Sequence, residues 1–200
     1  MILTEQTTVP AAALPIPEFK EHLRLGTGFA DDGVQDSLLE ALLRAAIAQI
    51  ESRTGKVTIA RSFLWRIGVW RDLASQALPV APVGAVSAFN IVDRDGAPTL
   101  IDPARYLLVP DTHRPRIEAT GACLPSIPAG GHAEIAFDAG FGPDWGALPA
   151  DLGQAILMLA AHHYEHRHAT GPKVEAEMPF GVSSLIERYR TVRILGGGSA

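Results

Sequence analysis

The sequence predicts an α+β fold: a helical bundle with an inserted antiparallel β region and an extended C-terminal tail. Three observations carry that expectation. Apolar residues three and four apart run from Val34 to Ile50 and again from Leu152 to His163, the spacing of a buried helix face. Between them, over residues 57–142, the period becomes alternating and Gly, Pro and Asp interrupt it often, as in short strands joined by turns. Beyond Thr170-Gly171-Pro172 a further apolar stretch begins. The expected units are residues 1–56 (N-terminal helices of the bundle), 57–147 (inserted β region), 148–172 (long C-terminal helix) and 173–200 (a tail for partner docking).

In chain order, a lead with Pro10, Pro15 and Pro17 precedes a short helix over residues 18–25. Phe19, Leu23 and His22 are placed inward, and Gly26-Thr-Gly28 ends the helix. Asp31 and Asp32 are positioned to cap a second helix, since carboxylates accept from unpaired first-turn N–H groups and suit that end of the dipole. This helix carries Val34, Leu38, Leu39, Leu42, Leu43, Ala46, Ile47 and Ile50 and stops at Thr54-Gly55. Its small residues Ala41, Ala45 and Ala48 would let a neighbouring helix approach closely. In the β region, Ile59, Phe63, Trp65, Ile67 and Val69 alternate with Ala60, Ser62, Arg66 and Gly68, the pattern of a strand with one covered face. Residues 86–92 and 99–101 flank Asp93-Arg-Asp-Gly96, a turn that predicts a hairpin. Residues 106–109, 116–119 and 132–137 supply further strands. Eight prolines, among them Pro98 and Pro103, keep the strands short and edge-like. Pro149 then opens a long helix with Asp151 in its first turn and Leu152, Ala155, Ile156, Leu159 and His163 on one face, running to about Ala169.

Composition narrows the function. The chain has 200 residues, 47% of them apolar, and a net charge of −5, which supports a real core and argues against a nucleic-acid-gripping surface. One cysteine, Cys123, permits neither an intramolecular disulfide nor a cysteine zinc cage. No signal-peptide pattern and no run of eighteen apolar residues is present, so neither standard export nor a membrane span is expected.

His162-His-Tyr-Glu-His166 matches H-x-x-E-H, in which two His one turn apart hold zinc and the Glu serves as general base. It is the one enzyme-like pattern in the chain. The same residues suit a helix C-terminus, where His and Arg meet free carbonyls, and the only downstream carboxylates for a third ligand are Glu175, Glu177 and Glu187. The preferred expectation is therefore no catalytic residue, no metal and no cofactor, with a zinc hydrolase as the alternative. Asp93-Arg-Asp-Gly96 lacks the remaining ligands of a calcium loop, and Gly196-Gly-Gly-Ser199 lacks the Lys of a phosphate loop. Cys123 has no neighbouring base, and Trp65 and Trp70 with Arg66 and Arg71 suit strand packing better than base stacking.

The tail, from Met178 onward, is too apolar to stay in water, so it folds back on its own core or buries itself in a partner. For a partner, Phe180, Leu185, Ile186 and Tyr189 are the expected apolar anchors, flanked by Met178, Pro179 and Val182. Arg188, Arg190 and Arg193 would pair with acidic or carbonyl groups.

Taken in order, several motifs resemble the head-to-tail connector (adaptor) proteins of tailed bacteriophages and of phage-like gene transfer agents. They are Phe19-Lys-Glu-His-Leu-Arg24, Glu51-Ser-Arg-Thr-Gly55, Leu78-Pro-Val-Ala-Pro-Val83 leading into Val92-Asp-Arg-Asp-Gly96, Phe137-Asp-Ala-Gly-Phe-Gly142, Leu148-Pro-Ala-Asp-Leu152, and Met178-Pro-Phe-Gly-Val182 before Tyr189-Arg190. The resemblance implies a homo-oligomeric ring, twelvefold, assembled in the bacterial cytoplasm at the head-tail interface of a virion. Its partners would be the portal protein above and tail-completion proteins below, with DNA passing through the channel unbound. No membrane contact is implied.

Overall fold

The structure is a computed structural model and describes residues 1–25, 33, 35–167 and 178–190. The chain is α+β, with antiparallel sheets and helices that share an apolar core. In order, the elements are β1 (Ile2–Glu5), α1 (Ile16–His22), α2 (Asp36–Thr54), β2 (Arg61–Ile67), β3 (Ser75–Ala77), β4 (Val83–Val92), β5 (Pro98–Leu100), β6 (Tyr106–Val109), β7 (Arg116–Ala119), β8 (His132–Ala139), α3 (Ala150–Glu165) and α4 (Phe180–Ile186).

The helical core forms because each helix has one continuous apolar stripe. Phe19 of α1, Leu39, Leu43, Ala46, Ile47 and Ile50 of α2, and Leu152, Ala155, Ile156 and Leu159 of α3 are buried together. Gly55 ends α2 with a left-handed φ of 70°, as a C-terminal glycine should. Leu38 and His22, expected inside, are exposed, because each lies off the side of its helix that meets the others. The first helix spans Ile16–His22, with Leu23 as its C-cap, rather than residues 18–25, so it closes ahead of the expected stop at Gly26-Thr-Gly28; the expected caps Asp31 and Asp32 and Val34 lie outside the described residues. Helix α3 closes at Glu165 rather than near Ala169, with His166 as its C-cap. The break at Thr170-Gly171-Pro172 and Gly196-Gly-Gly-Ser199 lie outside the described residues.

The larger sheet has the order β1-β2-β8-β4-β5 and the smaller one β3-β7-β6, every pairing antiparallel. Phe63, Trp65 and Ile67 point into the β core, and the Phe63 ring stacks on Phe137 with centroids 5.7 Å apart. The expected hairpin forms between β4 and β5, with Pro98 at the start of an edge strand where its missing N–H does no harm. Asp93 closes the turn by accepting from the N–H groups of Asp95 and Ala97, both at 2.9 Å. Val69 is not part of the strand and is exposed. Strands β1 and β3 were not expected; four and three residues carry too little alternation to be read alone.

A partly buried ion-pair network ties the helices to the sheet. The Glu51 carboxylate, on the last turn of α2, accepts from the Thr58 N–H and hydroxyl, each at 2.7 Å, and is held by the Arg61 guanidinium at 2.5 Å. Arg61 also reaches Glu5 of β1 at 3.0 Å. Burial pulls the Arg61 pKa down, but hydrogen bonding and charge from Glu51, with Glu5 behind it, more than offset this and leave it raised.

Two backbone and burial details give measurable consequences. Gly140 follows β8 with φ of +139°, and a Cβ there would lie 2.3 Å from the Ala60 Cα. Gly140→Ala must shift backbone rather than a side-chain tip, so a loss of about 3 kcal/mol is expected in urea unfolding. Lys56 is 1% exposed, and its Nζ has no hydrogen-bond partner among the described residues. Burial lowers its pKa, and the charge of Asp111 offsets only part of that. Between the lowered pKa and the ordinary lysine value, the unfolded chain holds a proton the folded chain does not. Stability therefore rises with pH through that window. Urea midpoints measured at pH values rising toward the ordinary lysine range should show this rise, and Lys56→Met should abolish it.

Candidate docking surface

The segment 178–190 is the part of the tail that the structure describes, and its local sequence decides how it sits. Pro179 precedes the first turn of α4, where a missing N–H is harmless. Gly181 lies against α3, where a Cβ would come within 2.8 Å of the Met158 methyl, the mobile end of a flexible side chain. Val182 and Ile186, four apart, share a face that enters the helical core, and Tyr189 follows them from a 3-10 turn over Glu187–Tyr189.

A polar clasp holds the end of this segment to the start of α3. The Tyr189 hydroxyl donates to Asp151 Oδ1 at 2.7 Å, Arg188 Nε lies 2.9 Å from Asp151 Oδ2, and a second Arg188 nitrogen donates to the Tyr189 oxygen. Burial, then the hydrogen bond to Asp151, raises the Tyr189 phenol pKa. The hydrogen bond to Tyr189 raises that of Arg188. The Phe141 ring meets Tyr189 edge-on at 6.2 Å.

These contacts correct part of the sequence expectation. Ile186 and Tyr189, expected as partner anchors, and the flanking Val182 are buried in the chain's own core, so α4 is not a free tail. The same spacing that fits a partner's groove fits the apolar face of α3, which lies within reach. Met178, Pro179 and Leu185 are half-buried. Phe180 is different: it is 88% exposed, the most exposed large apolar residue among those described. Arg188 and Arg190 are exposed beyond the end of α4; Arg190 pairs with Glu187 at 2.9 Å, and Arg188 with Asp151. A shallow cleft at Arg190 is lined by Arg53, Met178, Ser183, Ile186, Glu187 and Arg190. Arg193 lies outside the described residues.

The His-rich end of α3 is built as a cap. His166 donates from Nδ1 to the His162 carbonyl at 2.9 Å, and the two rings lie against each other with centroids 4.2 Å apart. His163 donates from Nε2 to Gln49 of α2 at 3.1 Å, and burial followed by the charge of His162 lowers its pKa. Glu165 is exposed. Among the described residues no group of three or more His, Cys, Asp or Glu side chains is placed to hold a metal ion, and Glu175 and Glu177 lie outside them. Cys123 is exposed and Trp65 and Trp70 are buried, the latter donating from its indole to the Pro125 carbonyl at 2.8 Å. Among the described residues no helix is long and apolar enough to cross a membrane.

Comparison with known proteins locates the chain. No protein-family model and no curated protein matches it. Solved structures do. It is 55% identical, with a TM-score of 0.89, to a chain in the neck of an empty gene transfer agent particle computed with C6 symmetry, covering 98% of this chain and 99% of that one. Against a chain of the virion of a native gene transfer agent particle the identity is 56% and the TM-score 0.87, with 98% and 99% covered. Against a chain in the neck of a native particle computed with C12 symmetry the values are 51% and 0.85, with the same coverage.

Proposed function

Because the chain belongs to the head-to-tail connector family represented in the necks of gene transfer agent particles, we propose that it is a structural adaptor of such a particle. It forms a ring under the capsid portal, joins head to tail and encloses the channel through which DNA passes. The role is mechanical: the chain supplies surfaces, and no step of bond chemistry is assigned to it. The supporting observation is near full-length identity above 50% to chains of solved neck and virion structures, two of them computed with rotational symmetry. Such symmetry suits a ring of like subunits. The net charge of −5 suits DNA that slides past without sticking.

Portal docking is assigned to the outer side of α4. Phe180 is the anchor and Arg188 and Arg190 are its charged flank; Val182, Ile186 and Tyr189 hold the helix from beneath. Met178, Pro179 and Leu185 shape the rim. The face opposite the portal receives tail-completion proteins.

Particle production tests the adaptor role. A producing strain lacking this gene should release DNA-filled heads without tails, and the gene supplied in trans should restore tailed particles. Tailed particles from the deletion strain would refute it.

A further inference from the structure

Among the described residues the larger sheet ends in two unpaired edges: β1 pairs only with β2, and β5 only with β4. One register row crosses all five strands: Ile2 opposes Arg66, Arg66 opposes Glu134, Glu134 opposes Asn90, and Asn90 opposes Leu100. Residues opposed in a row point to the same face of a sheet. Ile2 and Leu100 therefore stand on one face, at the same height, at opposite ends. Both are exposed, at 60% and 68%. The middle of the row is charged, with Arg66 bound to Glu134 at 2.6 Å.

Open edges are guarded by charge, by Pro or by short length, and neither edge here carries an uncommitted charge. On β1 the one charged side chain is Glu5, which is committed to Arg61; β5 is Pro98, Thr99 and Leu100. Pro98 removes one ladder donor, so a neighbour at β5 must be met mainly through side chains. Four strand spacings separate the two aliphatic residues, about 19 Å, with an ion pair between them. They do not form one continuous apolar patch. Two separate spots, one at each edge and level with each other, suit a head-to-tail contact in which every copy offers both halves.

We propose that in the ring inferred above, on which this contact rests, Ile2 of one copy packs on Leu100 of the next, so that the sheets stand edge to edge around the ring. Cross-linking in assembled necks tests it. In a Cys123→Ser background, Ile2→Cys and Leu100→Cys in the same chain should give a ladder of oxidised multimers. Either cysteine alone should give no ladder.

A charge exchange supplies the second readout. Ile2→Lys and Leu100→Glu should each lower the yield of tailed particles at least tenfold, and the double variant should recover it to within about threefold. Both positions are exposed, so the single variants should unfold at wild-type urea concentrations. Rings visible in the neck without a ladder, or with no recovery in the double variant, overturn the contact and leave the ring standing. Absence of the chain from the neck overturns both.

Discussion

Arg61→Ala lowers stability by about 3–5 kcal/mol, because it leaves the Glu51 carboxylate without its cation at a site nearly closed to water. The side chains of Arg61 and Glu51 are 9% and 12% exposed, and Glu51 keeps only the Thr58 N–H and hydroxyl when Arg61 is gone. In a chain of 200 residues such a loss corresponds to a fall of roughly 10 °C in Tm, measurable by scanning calorimetry. The pair is expensive to break without being strongly stabilising as a whole. Removing both charges, as Glu51→Leu with Arg61→Met, should therefore cost less than Arg61→Ala alone. A double variant as unstable as the sum of its parts would show that the two residues act independently. The network is placed where the helical core, β1 and β2 meet, so its loss should reduce the cooperativity of unfolding as well as its midpoint.

Ile186→Ala should cost about 2–5 kcal/mol, the range for deleting buried aliphatic groups from a packed core. Ile186 is 1% exposed, packed with Val182 and Tyr189 into the core shared with α2 and α3. Phe180→Ala, on the opposite side of the same helix, should change stability by less than about 0.5 kcal/mol. The two substitutions thus separate the inner and outer sides of one short helix by urea unfolding alone. If Phe180→Ala were as damaging as Ile186→Ala, its side chain would be part of the fold and unsuited to a partner. Near-neutral Ile186→Ala would mean that α4 is a loosely held arm.

The helical and β periods, the Asp93–Gly96 hairpin and strands β6 and β7 were legible because each is a local pattern: a turn sequence, or a run of branched and aromatic residues. Strands β1 and β3 were not, since short segments become strands through pairing with β2 and β7 rather than by their own composition. The direction faced by α4 was equally hidden. Val182, Ile186 and Tyr189 announce an amphipathic segment, but the same stripe can serve the chain's own α3 or another protein's groove. What decides is the burial of Val182 and Ile186 against α2 and α3 and the clasp of Tyr189 and Arg188 on Asp151, both of which depend on residues far away in sequence. The His162–His166 pattern is not decided by its own spacing, for a related reason. Spacing brings the rings together, while the third ligand a zinc site needs comes from the fold, and the described residues supply none.

Co-sedimentation with purified portal rings from the same genome, using the full-length chain beside Phe180→Asp, tests the adaptor role most directly. The wild-type chain should pellet with the rings, and the variant, still folded by circular dichroism, should stay in the supernatant. A folded wild-type chain that never sediments with portal would contradict portal docking, and equal sedimentation of Phe180→Asp would place the docking surface away from α4.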